Sequence, residues 1–115
     1  LNDEIIILAI NLKVIETNKF LFTDGNAASK STNIYSRLDN LKYLDWPCIN
    51  ARYWHEHMDG KRKKCSELMI LDKIPTKYIS KIIVKNKMLK KQIATIASLP
   101  VSIDKKYFFG EIIAN

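Results

Sequence analysis

The chain predicts an α+β fold in a single domain, and three observations carry that expectation. Apolar runs at residues 4–10, 19–23, 68–71 and 81–85 are short, as buried strands are, and all but the third are rich in β-branched or aromatic residues. One stretch, Lys87 to Ala97, instead places Met88, Leu89, Ile93, Ile96 and Ala97 at helical spacing with lysines opposite. Finally, 115 residues with 47% hydrophobic content, three Gly and three Pro suit one modest core, and no repeat or low-complexity linker divides them. Strands and helices are mixed along the chain, so the strands should be antiparallel in part.

The run Glu4-Ile5-Ile6-Ile7-Leu8-Ala9-Ile10 reads as an interior strand covered on both faces. It follows Leu1 at once, which makes Leu1 look like a cut point with further chain expected upstream. Lys19 to Thr23 is a second strand, stopped by the turn residues Asp24-Gly25-Asn26. Ala27 to Leu38 reads as a loop and then a short helix holding Ile34, Tyr35 and Leu38. From Leu41 to Trp54, apolar residues recur at spacings of three to four around Pro47, which suits two short helices meeting near Trp46. His55 to Lys64 has almost no apolar content and reads as an exposed loop. Leu68 to Leu71 is the third strand, Lys77 to Ser80 one helical turn, and Lys81 to Lys85 the fourth strand. Pro100 to Ile103 and Tyr107 to Phe109 close the chain with strand-like material.

The net charge of +7 is unevenly spread. Residues 1–60 hold six Lys and Arg against eight Asp and Glu; residues 61–115 hold thirteen against four. A basic half of that size favours a polyanionic partner, and solvated lysines on helix faces are the ordinary alternative. Two cysteines are too few for a disulfide framework, and neither a signal peptide nor an apolar run near twenty residues is present, so a reducing cytoplasm is expected.

The stretch Lys61-Arg62-Lys63-Lys64-Cys65-Ser66-Glu67 places four cations before a carboxylate that opens a strand. A glutamate there is often exposed and structural, but a strand end is a rigid mount for a catalytic group. A carboxylate suits chemistry that builds positive charge, such as breaking a glycosidic bond. A metal-dependent nuclease is disfavoured, because Met69 stands where its lysine would follow, with only Asp45 or Asp59 as partner acid. Cys48, His55, His57 and Cys65 match no common zinc spacing, so no metal is expected. Tyr43, Trp46, Arg52, Tyr53 and Trp54 interleave rings with charge ahead of Lys61 to Lys64, a pattern that can stack unpaired bases; as single residues the tryptophans read equally as core. Asp24 to Ser29 could present amides to phosphate, or be a plain tight turn, and it lacks the glycine spacing of a P-loop.

Taken in order, Phe22-Thr23-Asp24-Gly25-Asn26-Ala27-Ala28-Ser29, then Leu44-Asp45-Trp46 with Ile49 and Tyr53-Trp54, then Lys61 to Ile70, resemble the consecutive motifs of the DarT family, bacterial toxins that ADP-ribosylate DNA. The resemblance runs on to Tyr107-Phe108. It implies an ADP-ribosyltransferase fold, a split β-sheet core with peripheral helices that binds NAD in a cleft. By that similarity Glu67 is the catalytic residue, and Asp24 and Gly25 lie with it at the cofactor. Asn26, Trp46, Arg52, Trp54, Lys61, Arg62, Lys63 and Lys64 then face single-stranded DNA. The resemblance further implies transfer of ADP-ribose from NAD to a base, typically thymine, and a macrodomain antitoxin partner that removes the modification, in a bacterial cytoplasm. Ser66 replaces the family's usual alanine, and some relatives carry histidine in place of Asn26. Relatives also have a region upstream of the first strand, with much of the NAD pocket and a catalytic arginine; Arg37, Arg52 and Arg62 do not occupy its position. Residues 1–115 are therefore expected to be a partial transferase domain, inactive alone. The alternative is a non-catalytic module that binds single-stranded nucleic acid or the antitoxin.

Overall fold

A computed structural model of the chain describes residues 5–108. In order they form strand β1 (Ile7–Ile10), helical turn α1 (Val14–Thr17), β2 (Phe20–Thr23), β3 (Ile34–Tyr35), helices α2 (Trp46–Asn50) and α3 (Gly60–Lys64), β4 (Leu68–Ile70), β5 (Ile79–Val84), helix α4 (Lys87–Ala94) and β6 (Val101–Ile103). Among the described residues two compact units result, Ile15–Ile74 on the one hand and residues 5–14 with 75–108 on the other.

In the first unit β2 is the central strand, with β3 and β4 antiparallel on its two sides. The register pairs Phe22 with both Tyr35 and Leu68, and Phe20 with Ile70. Rings of one face stack from Phe20 through Phe22 and Tyr35 to Tyr43, with successive centroids 6.4, 5.5 and 5.8 Å apart. Such offset pairs add ~0.5–1.5 kcal/mol each beyond the area they bury.

In the second unit β5 lies between β1, antiparallel, and β6, parallel, with α4 as the crossover that a parallel pair requires. Asn86 starts α4 by accepting a hydrogen bond on its side-chain oxygen from the Leu89 N–H at 2.9 Å. Val14, Ile82, Ile83, Val84 and Phe108 are its most buried apolar residues.

Four expectations change. Among the described residues β1 is paired on one side alone, by β5, and Leu8 is 45% exposed, so those residues do not enclose the strand on both faces as its apolar run suggests. The helix expected over Ile34 and Tyr35 is strand β3, because Asp24 binds Asn33 and Tyr35 and draws that segment alongside β2. The basic loop is partly helix: Asp59 turns with φ 55°, its carboxylate takes the Arg62 Nε–H at 2.5 Å, and the cations fall at the C-terminal end, which the helix dipole favours. Tyr107 and Phe108 are a 3-10 turn and its cap, started by the Asp104 side chain; Phe109 and Glu4 lie outside the described residues.

Candidate active site

Glu67 lies one residue before β4, opposite Thr23 when the β2–β4 register is continued. Its carbonyl accepts the Thr23 N–H at 3.0 Å, and its own N–H donates to Thr23 Oγ1 at 2.9 Å. The same hydroxyl donates to the Gly25 carbonyl at 2.6 Å. The backbone of Glu67 is therefore fixed to β2 and to the turn that follows. Its side chain is exposed, and among the described residues its carboxylate has no hydrogen bond or ion pair. A rigidly mounted, unpartnered carboxylate can engage a ligand without first breaking a protein contact.

The turn itself is braced by α3. Arg62, with a side chain 16% exposed, reaches Asp24 at 3.4 Å, Thr32 Oγ1 at 2.9 Å and Asp59 at 2.5 Å. Its carbonyl takes the Asn26 N–H at 2.8 Å. Asp24, 14% exposed, also accepts from the Asn33 N–H and side-chain amide, at 2.8 and 3.0 Å, and from the Tyr35 hydroxyl at 3.4 Å. Burial alone would push the Asp24 carboxyl up; the bonds from Asn33 and the Arg62 charge outweigh it and hold the group below its ordinary value of 3.8. Burial and the neighbouring Asp24 charge push the Tyr35 hydroxyl up. Gly25 is buried, and a Cβ there would stand 2.4 Å from Arg62 Nη1, so the glycine makes room for the brace.

A carboxyl with a lowered folded-state pKa contributes stability above its unfolded pKa, and that contribution is lost as pH falls through the folded value. Asp24→Asn should therefore destabilise the protein by about 1–3 kcal/mol at neutral pH, the scale of a charged group's hydrogen bonds. The gap from wild type should close once pH drops below the normal carboxylate range. Urea unfolding at several pH values checks this, and a gap independent of pH would contradict it.

The aromatic segment is tied to the same helix. Asp45 caps α2 by accepting the Cys48 N–H at 3.2 Å, and it takes the Lys63 ammonium at 2.9 Å; that hydrogen bond and the cap hold its carboxyl low, while Lys63 is pushed up in return. Lys64 Nζ donates to the carbonyls of Ile49, at 2.6 Å, and Ala51. Cys48 is buried with its thiol toward the Gly60 carbonyl at 3.6 Å, whereas Cys65 is exposed. Trp46 donates its indole N–H to Leu41 at 2.8 Å yet stays 41% exposed, and Trp54 is 43% exposed, so neither is a core residue. Arg52 lies over the Tyr53 ring at 5.4 Å.

Glu67, Asp24, Gly25, Asn26 and Arg62 thus come together around one strand end. Arg62, Lys63 and Lys64 are committed to internal partners, and Lys61 is the cation of that run that is exposed and has no partner among the described residues. Asn26 is exposed, with its side-chain oxygen bonded to the Ala28 N–H at 2.9 Å. Sequence reading missed Thr23, Asn33 and Asp59 as parts of the site; for Asp59 the Asp-Gly pair before the cations was the available signal. A shallow groove of about 440 Å³ lined by Phe20, Leu21, Ser36 and Leu71 lies at the opposite end of β2 and holds none of the expected site residues.

The sequence profile of a family described as ssDNA thymidine ADP-ribosyltransferase, DarT, matches residues 1–109. A DNA ADP-ribosyl transferase-DNA ADP-ribosyl glycohydrolase fusion protein of Thermosipho africanus is 33% identical over 112 residues, which are 92% of this chain and 28% of that protein. A DNA ADP-ribosyl transferase of Thermus aquaticus is 29% identical over 97 residues, 78% of this chain and 42% of the relative. The chain thus spans less than half the length of either relative. Among solved structures, Thermus sp. 2.9 DarT in complex with NAD+ matches with a TM-score of 0.82 at 22% identity, over 93% of this chain and 59% of that one. That likeness establishes the fold as the ADP-ribosyltransferase fold of DarT.

Proposed function

Because the chain belongs to the DarT family, we propose that it carries the catalytic edge of an enzyme that transfers ADP-ribose from NAD to thymine in single-stranded DNA. The observation that carries this reading is Glu67, a free carboxylate on a fixed backbone beside the Asp24–Asn26 turn. NAD as substrate would place its nicotinamide ribose at Glu67. The carboxylate binds that ribose and stabilises the positive charge that grows at the anomeric carbon as the bond to nicotinamide breaks and the bond to the base forms. Asp24 and Gly25 serve the nucleotide by holding the turn, since the Asp24 oxygens are taken up by Asn33, Tyr35 and Arg62. Asn26, exposed on that turn, faces the base.

Trp46, Arg52, Trp54 and Lys61 form the DNA-facing surface, with Arg62, Lys63 and Lys64 holding it in shape and adding positive potential. Lys61→Ala should weaken oligonucleotide binding and lower the salt slope of log K by about one, as loss of one phosphate contact does. Trp46→Ala or Trp54→Ala should each cost about 1–3 kcal/mol of binding, the scale of one stacked base. An unchanged salt slope would remove Lys61 from the interface.

The expected macrodomain antitoxin would remove the modification, and the Thermosipho africanus fusion protein, whose name sets a DNA ADP-ribosyl glycohydrolase beside its transferase, supports a glycohydrolase partner. We place the pair as a toxin–antitoxin system in the bacterial cytoplasm. Among the described residues, no helix is long and apolar enough to cross a membrane. The test is incubation of the full-length protein with labelled NAD and oligonucleotides with and without thymine. Label on the thymine-containing strand is expected. Binding of the strand without label would favour the non-catalytic module instead.

A further inference from the structure

We propose that Thr23 is a positioning residue for Glu67, an inference that rests on Glu67 being the catalytic group. Thr23 is 0% exposed and is the buried polar side chain among the described residues, at a position where valine would fill the same space. A hydroxyl enclosed there is tolerated because both of its bonding capacities are used. It accepts the Glu67 N–H at 2.9 Å and donates to the Gly25 carbonyl at 2.6 Å.

In a regular antiparallel pair of this register, the Glu67 N–H would reach the Thr23 carbonyl. Here the side chain takes that place, while the Thr23 N–H keeps its partner, the Glu67 carbonyl, at 3.0 Å. Both backbone groups of Glu67 thus end on one residue. The same hydroxyl fixes the turn, whose other side is closed by the Asn26 N–H on the Arg62 carbonyl. One oxygen atom therefore sets the spacing between the carboxylate-bearing backbone and the turn opposite it. Loss of the hydroxyl leaves the Glu67 N–H and the Gly25 carbonyl without these partners, and a shift of about 1 Å at a reacting group can cost about 100-fold in rate.

The experiment compares Thr23→Val, which keeps the shape, with Thr23→Ser, which keeps the hydroxyl, in the full-length protein. Thr23→Val should lower kcat for ADP-ribose transfer about 100-fold and leave the dissociation constant for NAD within about threefold, with Thr23→Ser close to wild type. Amide exchange at Glu67 should speed up about tenfold or more in Thr23→Val and stay slow in Thr23→Ser. Unchanged kcat in Thr23→Val, a Thr23→Ser protein as slow as Thr23→Val, or a Thr23→Val protein that no longer folds would each overturn the inference. A wild type that labels no DNA would end the functional reading instead. Even then, unchanged amide exchange at Glu67 would overturn the role of Thr23, so the two failures are distinguishable.

Discussion

Glu67→Gln in the full-length protein should reduce the rate of ADP-ribose transfer by about 10³-fold, the upper range for removing a preorganised electrostatic group from a reacting centre. Glutamine keeps the size and much of the hydrogen-bonding reach of glutamate and removes its charge. The loss should therefore fall on kcat, where positive charge develops, more than on the binding of NAD. Stability should not change, because the Glu67 side chain is exposed and its carboxylate has no partner among the described residues. Initial rates with labelled NAD, read beside melting temperatures, check both halves. Full activity in Glu67→Gln would leave the strand end without its central role. A matched fall in activity and melting temperature would make the residue structural.

Gly60→Ala should destabilise the protein by about 3 kcal/mol, the upper end for overpacking a filled site. A Cβ at Gly60 would stand 1.9 Å from the Trp54 carbonyl oxygen and 2.9 Å from its carbon. Those are main-chain atoms, so relief requires α3 or the Trp54 segment to move as a whole. The Gly60 N–H, bonded to the His57 carbonyl at 3.1 Å, and the Gly60 carbonyl, which faces Cys48, resist that movement. Gly25→Ala is a useful contrast, because the atoms nearest its Cβ belong to side chains, Arg62 Nη1 at 2.4 Å and Thr32 Oγ1 at 2.9 Å. Relief there moves side chains and not main chain, and strains the Arg62 bonds to Asp24 and Thr32. A loss of about 2 kcal/mol, the scale of disturbing a charged group's hydrogen bonds, is expected there, measured like the first by urea unfolding at constant m. If Gly60→Ala lay within ~0.5 kcal/mol of wild type, the close packing of α3 on the tryptophan segment would be wrong.

The short apolar runs were legible as β2, β4, β5 and β6 because each is bounded by turn residues or charge, and the lysine-backed apolar stripe was legible as α4. Glu67 could be picked out because it interrupts the passage from cations to an apolar run. The helix α3 could not, since its cations read as a solvated loop. Its pairs lie far away in sequence, Asp24 to Arg62 and Asp45 to Lys63, and such tertiary bonds decide between loop and helix in a run of helix-tolerant residues. Strand β3 was hidden for the same reason, being two residues long and held in place by the Asp24–Asn33 bonds. Thr23 carried no signal of its own, because threonine is an ordinary strand residue; only the register that sets it opposite Glu67 reveals the double use of its hydroxyl.

The resemblance to the transferase family was legible in three motifs separated along the chain, and the fold joins two of them at one place. Lys61 to Lys64 were expected to hold DNA together, yet Arg62 binds Asp24 and Asp59, Lys63 binds Asp45, and Lys64 binds Ile49 and Ala51. A row of like charges in sequence is thereby divided between the scaffold and the surface that Lys61 faces.

A crystal structure of the full-length protein with a non-hydrolysable NAD analogue puts the central claim to the most direct test. The nicotinamide ribose should lie within hydrogen-bond reach of the Glu67 carboxylate, with the Asp24–Asn26 turn beside it and the Thr23 hydroxyl still bonded to the Glu67 N–H. A ribose bound elsewhere, with Glu67 left facing solvent, would contradict it.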